Sequence, residues 1–356
     1  RYSYGVTGNI SFPSYQAITT YTYNQDNYYL HGMGAVPKQM GNKDLTWQST
    51  KTHNFGLNAD FLDSRFSITF DYYIKTTDDL LIDQTIPPSI GETTVKSNLG
   101  KQRNKGYEFD IAAVLVQNKD WRFSLKLNGS HNKNKILAIS NALAAANDEA
   151  NASSEGKPKV LYKEGQSTTA IYAVKSHGIN PMNGKEVFED LKGNLTYEWS
   201  AANKIVCGDT EPKVSGAFGA NADWKGFNIN VSFLYQCGGQ VYNQTLVDRV
   251  EDANLSWNVD RRVLKGRWKE PGDHTFFKDI KTEVSSRFVQ DENVLQFKSL
   301  SFSYSFPTEL IQRWSLERLK LTFQMEDIFR ISNVKRERGL DYPFARIFNV
   351  GLQVQF

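Results

Sequence analysis

The chain has 356 residues, enough for two ordinary domains or one large barrel. Its formal net charge is +3 at pH 7 and it has no basic tract, so a nucleic-acid partner is not expected. No apolar run approaches the ~18 residues of a membrane helix; this leaves a membrane barrel open, because half of each barrel strand faces water.

Taken in order, the chain reads as ten strands of period two. Arg1 stands directly before the first, without Met or a leader, so a longer protein with its export signal upstream is expected. Tyr2, Tyr4 and Val6 alternate with Ser3, Gly5 and Thr7. Phe55, Leu57, Ala59 and Phe61 face away from Asn54, Gly56, Asn58 and Asp60. Phe66, Ile68, Phe70, Tyr72 and Ile74 then alternate with Ser67, Thr69, Asp71, Tyr73 and Lys75. The fourth strand carries Tyr107, Phe109, Ile111, Ala113 and Leu115 opposite Glu108 and Asp110; the fifth carries Trp121, Phe123, Leu125 and Leu127 opposite Arg122, Ser124, Lys126 and Asn128. Val214, Phe218, Ala220, Ala222 and Trp224 follow, then Phe227, Ile229, Val231, Phe233 and Tyr235. Leu300, Phe302, Tyr304 and Phe306 form the eighth, and Leu319, Leu321, Phe323 and Met325 the ninth. The last runs from Arg346 to the end, with Phe348, Val350, Leu352, Val354 and Phe356 opposite Asn349, Gly351, Gln353 and Gln355.

The connectors define the architecture. Short ones follow Phe61, Leu115, Trp224 and Phe306, and long ones fill 9–45, 83–101, 138–211, 243–293 and 330–345. Short and long alternate throughout, as in an outer-membrane barrel with short periplasmic turns and long extracellular loops. The expected fold is therefore all-β, a transmembrane antiparallel up-and-down β-barrel. A soluble β-sandwich could show the alternation only locally. Open edges are not tolerated in lipid, so further strands before the first are expected, with residues 1–356 forming the carboxy-terminal part of a larger barrel.

Aromatic side chains mark the short-turn end. Trp121, Trp224 and Trp314, with Phe61, Phe66, Phe227 and Phe306, lie at or beside those turns and form an expected periplasmic girdle. The opposite parity carries Asp60, Asp71, Lys75, Glu108, Asp110, Arg122, Lys126, Asp223, Lys320 and Glu326, which must face a lumen.

No catalytic constellation is found. His53 and His131 have outward parity near the outer strand ends, and His31, His177 and His274 lie in loops. There is no zinc spacing, and neither a metal nor a cofactor is expected. Cys207 and Cys237 either pair or stay as free thiols. Glu186 to Asp190 either recruits a cation with nearby carbonyls or forms a solvated hairpin turn, and Asn183-Gly184 fits a tight turn. Tyr172, Tyr197, Trp199, Trp257 and Trp268 occupy the two longest loops. Their rings either stack on a ligand such as a sugar, or pack the loops on one another or on a partner.

The loops also hold an ordered set of words. Gly41-Asn42-Lys43-Asp44-Leu45-Thr46-Trp47 leads into the second strand, and Thr76-Thr77-Asp78-Asp79-Leu80-Leu81 ends the third. Asn98-Leu99-Gly100 and Asn104-Lys105-Gly106 follow, then Gly178-Ile179-Asn180-Pro181-Met182-Asn183-Gly184 and Gly208-Asp209-Thr210-Glu211-Pro212. Asn258-Val259-Asp260-Arg261-Arg262, Arg267-Trp268 and Tyr342-Pro343 complete the set. In this order they resemble the carboxy-terminal half of the SusC/RagA family of TonB-dependent outer-membrane transporters of Bacteroidetes. Asn180 departs from a commoner Asp, and Glu326-Asp327 stands where an Asn is usual.

The resemblance implies a barrel of about 22 strands with a plugged lumen. It implies an amino-terminal plug and a TonB-contacting segment, neither of them in this chain, and a SusD-type surface lipoprotein lidding the loops, with a dimer of that pair as one arrangement. It implies TonB-driven import of an oligosaccharide or, in some members, a peptide, in contact with outer-membrane lipid and lipopolysaccharide. It also implies that the terminal Phe356 is a signal for the barrel-insertion machinery, with interfacial anchoring as the simpler alternative. A non-transporting scaffold, a passive porin and a soluble all-β enzyme are the competing readings.

Overall fold

The computed structural model describes residues 1–9, 17–29, 32–85, 94–98, 100–140, 143–144, 147, 157–256, 258–278, 282–335 and 345–356. Nineteen strands follow one another along it. They are β1 (Tyr2–Asn9), β2 (Thr20–Tyr29), β3 (Gly32–Gln39), β4 (Gln48–Phe61), β5 (Phe66–Asp78), β6 (Leu81–Thr85) and β7 (Thr94–Asn98). Then come β8 (Gly100–Gln117), β9 (Trp121–Ile139), β10 (Ala170–Val174), β11 (Ser176–Ile179), β12 (Glu186–Glu189), β13 (Leu195–Thr196) and β14 (Lys204–Asp209). The chain closes with β15 (Val214–Trp224), β16 (Phe227–Tyr242), β17 (Val289–Ser305), β18 (Arg318–Ser332) and β19 (Ile347–Gln355).

Ten of these form one antiparallel sheet in the order β1-β4-β5-β8-β9-β15-β16-β17-β18-β19. All ten expected strands lie in it, each beside its neighbours along the chain. The register keeps apolar residues opposite apolar ones. Phe55 faces Tyr72 and Leu57 faces Phe70; Ile68 faces Ile111; Phe218 faces both Leu127 and Phe233; Met325 faces Phe348. A one-residue slip would turn every one of these side chains into the lumen, so the alternation itself fixes the register. The outward face stays open: Leu57 is 60% exposed, Val350 74% and Leu352 66%. Among the described residues, β1 and β19 each keep one unpaired edge.

The strands run further at the loop end than their alternation indicates. β8 starts at Gly100 and β9 continues to Ile139, where sequence patterning shows only 107–115 and 121–128. β16, β17 and β18 are likewise longer. Above the bilayer neither face of a strand meets lipid, so the ladder continues after the two-faced pattern has ended. Two bulges also escape the pattern. Between Val114 and Val116 the register shifts so that Val116, not Leu115, stands opposite Phe123. Beside the shift between Phe297 and Ser299, Asp327 sits at φ 50°, and its carboxylate takes Gln296 Nε2 at 2.7 Å and Lys298 Nζ at 2.8 Å. Asn and Asp are the non-glycine residues most at ease in that left-handed region, so an Asp can hold this position.

Three of the four short turns are tight. Lys225 and Gly226 both have positive φ between the paired Trp224 and Phe227, a two-residue hairpin of the primed type. A Cβ on Gly226 would stand 2.6 Å from the Ser305 carbonyl oxygen, which enforces glycine. Leu62, Asp63 and Ser64 turn β4 into β5 through left-handed φ, and Asn118 Oδ1 accepts from the Asp120 and Trp121 amides at the next turn. The fourth, expected to be short, is instead a helical connection through Thr308–Ile311 and Gln312–Trp314.

The loops fold. β2 pairs with β3, β6 with β7, β10 with β14, and β11, β12 and β13 form a three-stranded sheet. The main apolar core lies there: Ile171, Ala173, Leu246, Val247, Val250, Val263, Phe277, Val284 and Phe288 gather beneath Tyr242. This cap draws on the two longest connectors, between β9 and β15 and between β16 and β17.

Candidate functional site

The surfaces a solute would meet are the lumen wall and the underside and rim of the cap. The wall is built from the inward residues of the ladder. Thr69, Asp71, Glu108, Asp110, Asn128, Ser130 and Ser215 line one groove of about 440 Å³. Asp71 faces Glu108 directly across β5 and β8; Arg1 (2.6 Å) and Asn54 Nδ2 (2.9 Å) both bind the Asp71 carboxylate. Around the wall, Arg122 faces Asp223, and Lys126 follows on the same side of β9. Higher up, Asn104 Oδ1 accepts from Asn132 and Asn134, and Tyr73 donates to Asn132 at 3.1 Å. Glu211, from the Gly208–Pro212 motif, reaches the Asn134 amide at 3.2 Å and also takes Asn132 Nδ2. That motif thus latches the cap onto the wall.

The cap is held by an ion cluster that patterning missed. Arg287 Nη2 lies 3.0 Å from Glu186 and 2.6 Å from Glu251, and Lys278 Nζ lies 3.2 Å from Glu186. Thr282 donates to Glu251 at 2.6 Å. The side chains of Arg287, Glu186 and Glu251 are 3%, 1% and 0% exposed. Burial works against the Glu186 charge, but the charge and hydrogen bonds of Arg287, with the charge of Lys278, outweigh it and hold the carboxyl below its ordinary value. Burial likewise opposes the Arg287 charge, and Glu251 and Glu186 overcome it, pushing the guanidinium further up. No local spacing announces the cluster, because Glu186 and Arg287 stand 101 residues apart. Only the run of charges in otherwise ordered loops could have hinted at it.

Glu186 is therefore occupied by cations of the protein. Glu189 is bound by Lys175 and His177, and Asp190 accepts from the Lys192 and Asn194 amides in the turn between β12 and β13. Among the described residues, no group of three or more His, Cys, Asp or Glu side chains is arranged for a metal. Cys207 and Cys237 are free thiols.

The loop aromatics separate by environment. Tyr172 in β10 is 2% exposed, with its hydroxyl unpaired and Lys163 Nζ 5.2 Å from its ring centre. Trp199 donates its indole N–H to the Val284 carbonyl at 3.0 Å, and Lys204 lies over its ring. Trp268 donates to Pro181 O at 2.8 Å and packs on Gly184, where a Cβ would meet the indole at 2.5 Å. Tyr197 is 48% exposed and takes Asn180 Nδ2 at 2.6 Å. Tyr197 and Trp268 therefore flank the same Asn180–Lys185 turn. Trp257 and Tyr342-Pro343 lie outside the described residues, as does His31. The remaining motif residues are architectural. Asp260 caps Arg262 and binds its guanidinium, which holds the carboxyl well below the usual carboxylate range. Arg267 gathers carbonyls of Val263, Lys278, Val250 and Glu251.

On the outward face, Trp121 stacks on Trp224 at 5.3 Å, Trp224 on Phe227 at 5.9 Å, and Tyr304 contacts both Phe227 and Phe306. Phe61 faces Phe66 at the first turn, and Trp314 is 59% exposed on the helical connection. A second aromatic band stands at the loop end: Tyr4 and Tyr2 around His53, then Phe55, Tyr72, Tyr107 and His131. By their alternation these are ordinary strand residues, and His53 and His131 mark their level near the outer strand ends. From Trp121 to His131 is ten residue steps, about 33 Å along the strand, and at barrel tilt this projects to about 25 Å, the height of an outer-membrane apolar band.

A ten-stranded antiparallel wall with an apolar outside, a polar inside, tight turns at one end and folded loops at the other defines the chain as outer-membrane β-barrel. The comparisons agree. The family profile described as "TonB dependent receptor-like, beta-barrel" matches residues 1–264, and the chain belongs to that family. TonB-dependent receptor P3 of Formosa agariphila is 27% identical over 401 aligned positions, covering 100% of this chain and 39% of that protein. TonB-dependent receptor SusC of Bacteroides thetaiotaomicron is 24% identical over 344 positions, covering 88% of this chain and 32% of that protein. Among solved structures, one described as the RagAB peptide transporter superposes with a TM-score of 0.82 at 24% identity, over 100% of this chain and 40% of its own. The chain thus spans well under half the length of the relatives it matches. These relatives are described as receptors and a transporter.

Proposed function

We propose that this chain forms the carboxy-terminal wall and outer loops of a TonB-dependent importer of a large polar nutrient, an oligosaccharide in the first place. The observation that carries this reading is a water-facing wall of amides, hydroxyls and carboxylates beneath a folded cap, in a TonB-dependent receptor-like barrel. Asn128, Ser130, Ser215, Glu108 and Asp110 are groups that hydrogen-bond sugar hydroxyls. A peptide is the second reading: the wall carries both carboxylates, Glu108 and Asp110, and cations, Arg122 and Lys126, which suits a zwitterionic chain. Tyr197, exposed on the cap, is the aromatic best placed to stack on a ligand; Trp257, outside the described residues, is given the same role from its loop position in the sequence, while Tyr172, Trp199 and Trp268 hold the cap in shape. The cap surface receives a SusD-like lipoprotein, and a plug and TonB-contacting segment belong to the remainder of the full-length protein.

Trp121, Trp224, Phe227, Phe306, Phe61 and Trp314 act as the periplasmic girdle, and Phe356, 84% exposed beyond β19, acts in barrel insertion. Uptake of labelled oligosaccharides and oligopeptides by cells carrying the full-length protein tests the reading. Uptake that ceases on TonB removal supports it, and uptake that persists refutes it. Deleting Phe356 is expected to lower the amount of assembled barrel; normal assembly would leave it a simple interfacial anchor.

A further inference from the structure

A cleft of about 470 Å³ opens where the cap meets the end of β16. It is walled by residues 157–160, by the entry to β10 and by the last residues of β16. Val160, Ile171, Val241 and Tyr242 give it apolar surface, and Thr168, Thr210 and Gln244 give it hydroxyls and an amide. Lys157 and Lys159 add two exposed ammonium groups, and among the described residues no acidic one lines the cleft. The neighbouring carboxylates are engaged: Asp209 accepts from Thr169 at 2.6 Å, and Asp248 from Gln244 at 2.8 Å. Lys204 of β14 is buried, and its ammonium is pulled below its ordinary value, first by burial and then by the charge of Lys159. Positive charge is therefore crowded at this corner of the cap. The corner adjoins the latch, because Thr210 belongs to the motif that carries Glu211.

We propose that this cleft is a subsite for an acidic sugar unit of the transported oligosaccharide, one carrying a carboxylate or a sulfate ester. The inference rests on the proposed import of an oligosaccharide and narrows that substrate to an anionic one. The size fits, since small-molecule pockets run from about 300 to about 1,000 Å³ and combine apolar walls with a few polar groups. The surface fits: the C–H face of a sugar ring can lie on Val160, Ile171 and Tyr242 while its hydroxyls exchange hydrogen bonds with Thr168 and Thr210. The charge fits, because hydrogen bonds from an ammonium to an oxyanion are roughly twice as strong as neutral ones. The flexible stems of Lys157 and Lys159 let them follow an oxyanion at more than one ring position. An oxyanion there also offsets the repulsion between Lys159 and Lys204. A bare inorganic anion suits the cleft less well, because apolar walls leave most of its oxygens without donors.

The test measures binding by calorimetry to full-length protein in detergent. The probes are an oligogalacturonate, its carboxyl-reduced neutral counterpart, a sulfated oligogalactan of the same length, and oligoglutamate. Wild type should bind one or both acidic sugars at least about tenfold more tightly than the neutral one, as expected of one charge-assisted contact. Which acidic sugar binds tighter tells a carboxylate from a sulfate ester. The variant K157Q/K159Q should lose that preference, and a control losing the same charge elsewhere on the cap, K265Q/K269Q, should keep it. Should K157Q/K159Q not assemble, the wild type decides alone: its preference should shrink at high salt. A preference that survives in K157Q/K159Q, or is indifferent to salt, overturns the proposal. So does tighter binding of oligoglutamate than of either acidic sugar, which would mark an acidic-peptide site, or binding of none of the probes. Equal binding of neutral and acidic sugars overturns the subsite and leaves the import reading standing, whereas uptake that persists without TonB refutes import and leaves the binding preference.

Discussion

The barrel wall and the cap solve the problem of burial in opposite ways. The wall keeps its large apolar side chains on the outside: Leu57, Val350 and Leu352 are largely exposed, and bilayer hydrocarbon covers them in place. The cap behaves like a water-soluble domain, with Val250 and Phe288 fully buried beside a sealed ion cluster. The same chain therefore has two interiors, one supplied by the membrane and one that it makes itself. Substitutions should respect that division, and four tests probe it.

Arg287→Ala carries the largest expected effect. It leaves Glu186 and Glu251 buried without a cation, which costs about 3–5 kcal/mol. The cap should become protease-sensitive and exchange its amides, while the wall strands stay protected; loss of wall protection would show that the two regions are not separate. Next, Leu125→Lys places a charge on the lipid face between the Trp121 and His131 levels of β9 and should cost about 2–4 kcal/mol. Ser124→Lys, one residue away but on the lumen face, should assemble normally, as read by heat-modifiable migration on gels.

Acid should loosen the cap before the wall. Glu186 is held below its ordinary value of 4.5, so its contribution is complete above that pH and is lost as pH falls through the lower value it has in the folded cap. Amide exchange across 243–288 should rise in that window and recover on neutralisation; exchange that is flat with pH would remove the clamp from the stability of the cap. The smallest effect is expected of Trp268→Phe, which keeps most of the ring but loses the 2.8 Å bond to Pro181 O. About 1 kcal/mol of cap stability should go. A fall in ligand affinity at unchanged cap stability would instead make Trp268 a ligand contact.

The wall was legible because its constraint is local. A strand with lipid on one side and water on the other must alternate, and residues such as Phe66, Ile68, Phe70 and Tyr72 record this without reference to any distant partner. Legibility ended where the constraint ended: at Gly100–Asn104 and Asn132–Ile139 neither face meets lipid, the inward one being partly covered by the cap at Asn134 and Ile136, and strands continue there unseen. The cap was opaque for the complementary reason. Its core joins residues such as Ile171 and Phe288 from different loops, and its charges cancel in pairs far apart in sequence. The motifs that carried the family resemblance, Asp260-Arg261-Arg262 and Arg267 among them, prove to be caps and carbonyl clamps. They identify the architecture of the loops and leave the ligand to the residues around them.

The Glu186–Arg287–Glu251 cluster has a consequence for how such proteins can diversify. Glu186 belongs to the connector between β9 and β15, while Arg287 and Glu251 belong to the connector between β16 and β17. A recombination event or a laboratory graft that exchanges one connector alone imports half of a buried ion pair. The two longest loops are thus a single unit of inheritance: a new specificity carried by either must arrive with both, or with a neutral, apolar replacement for the whole cluster.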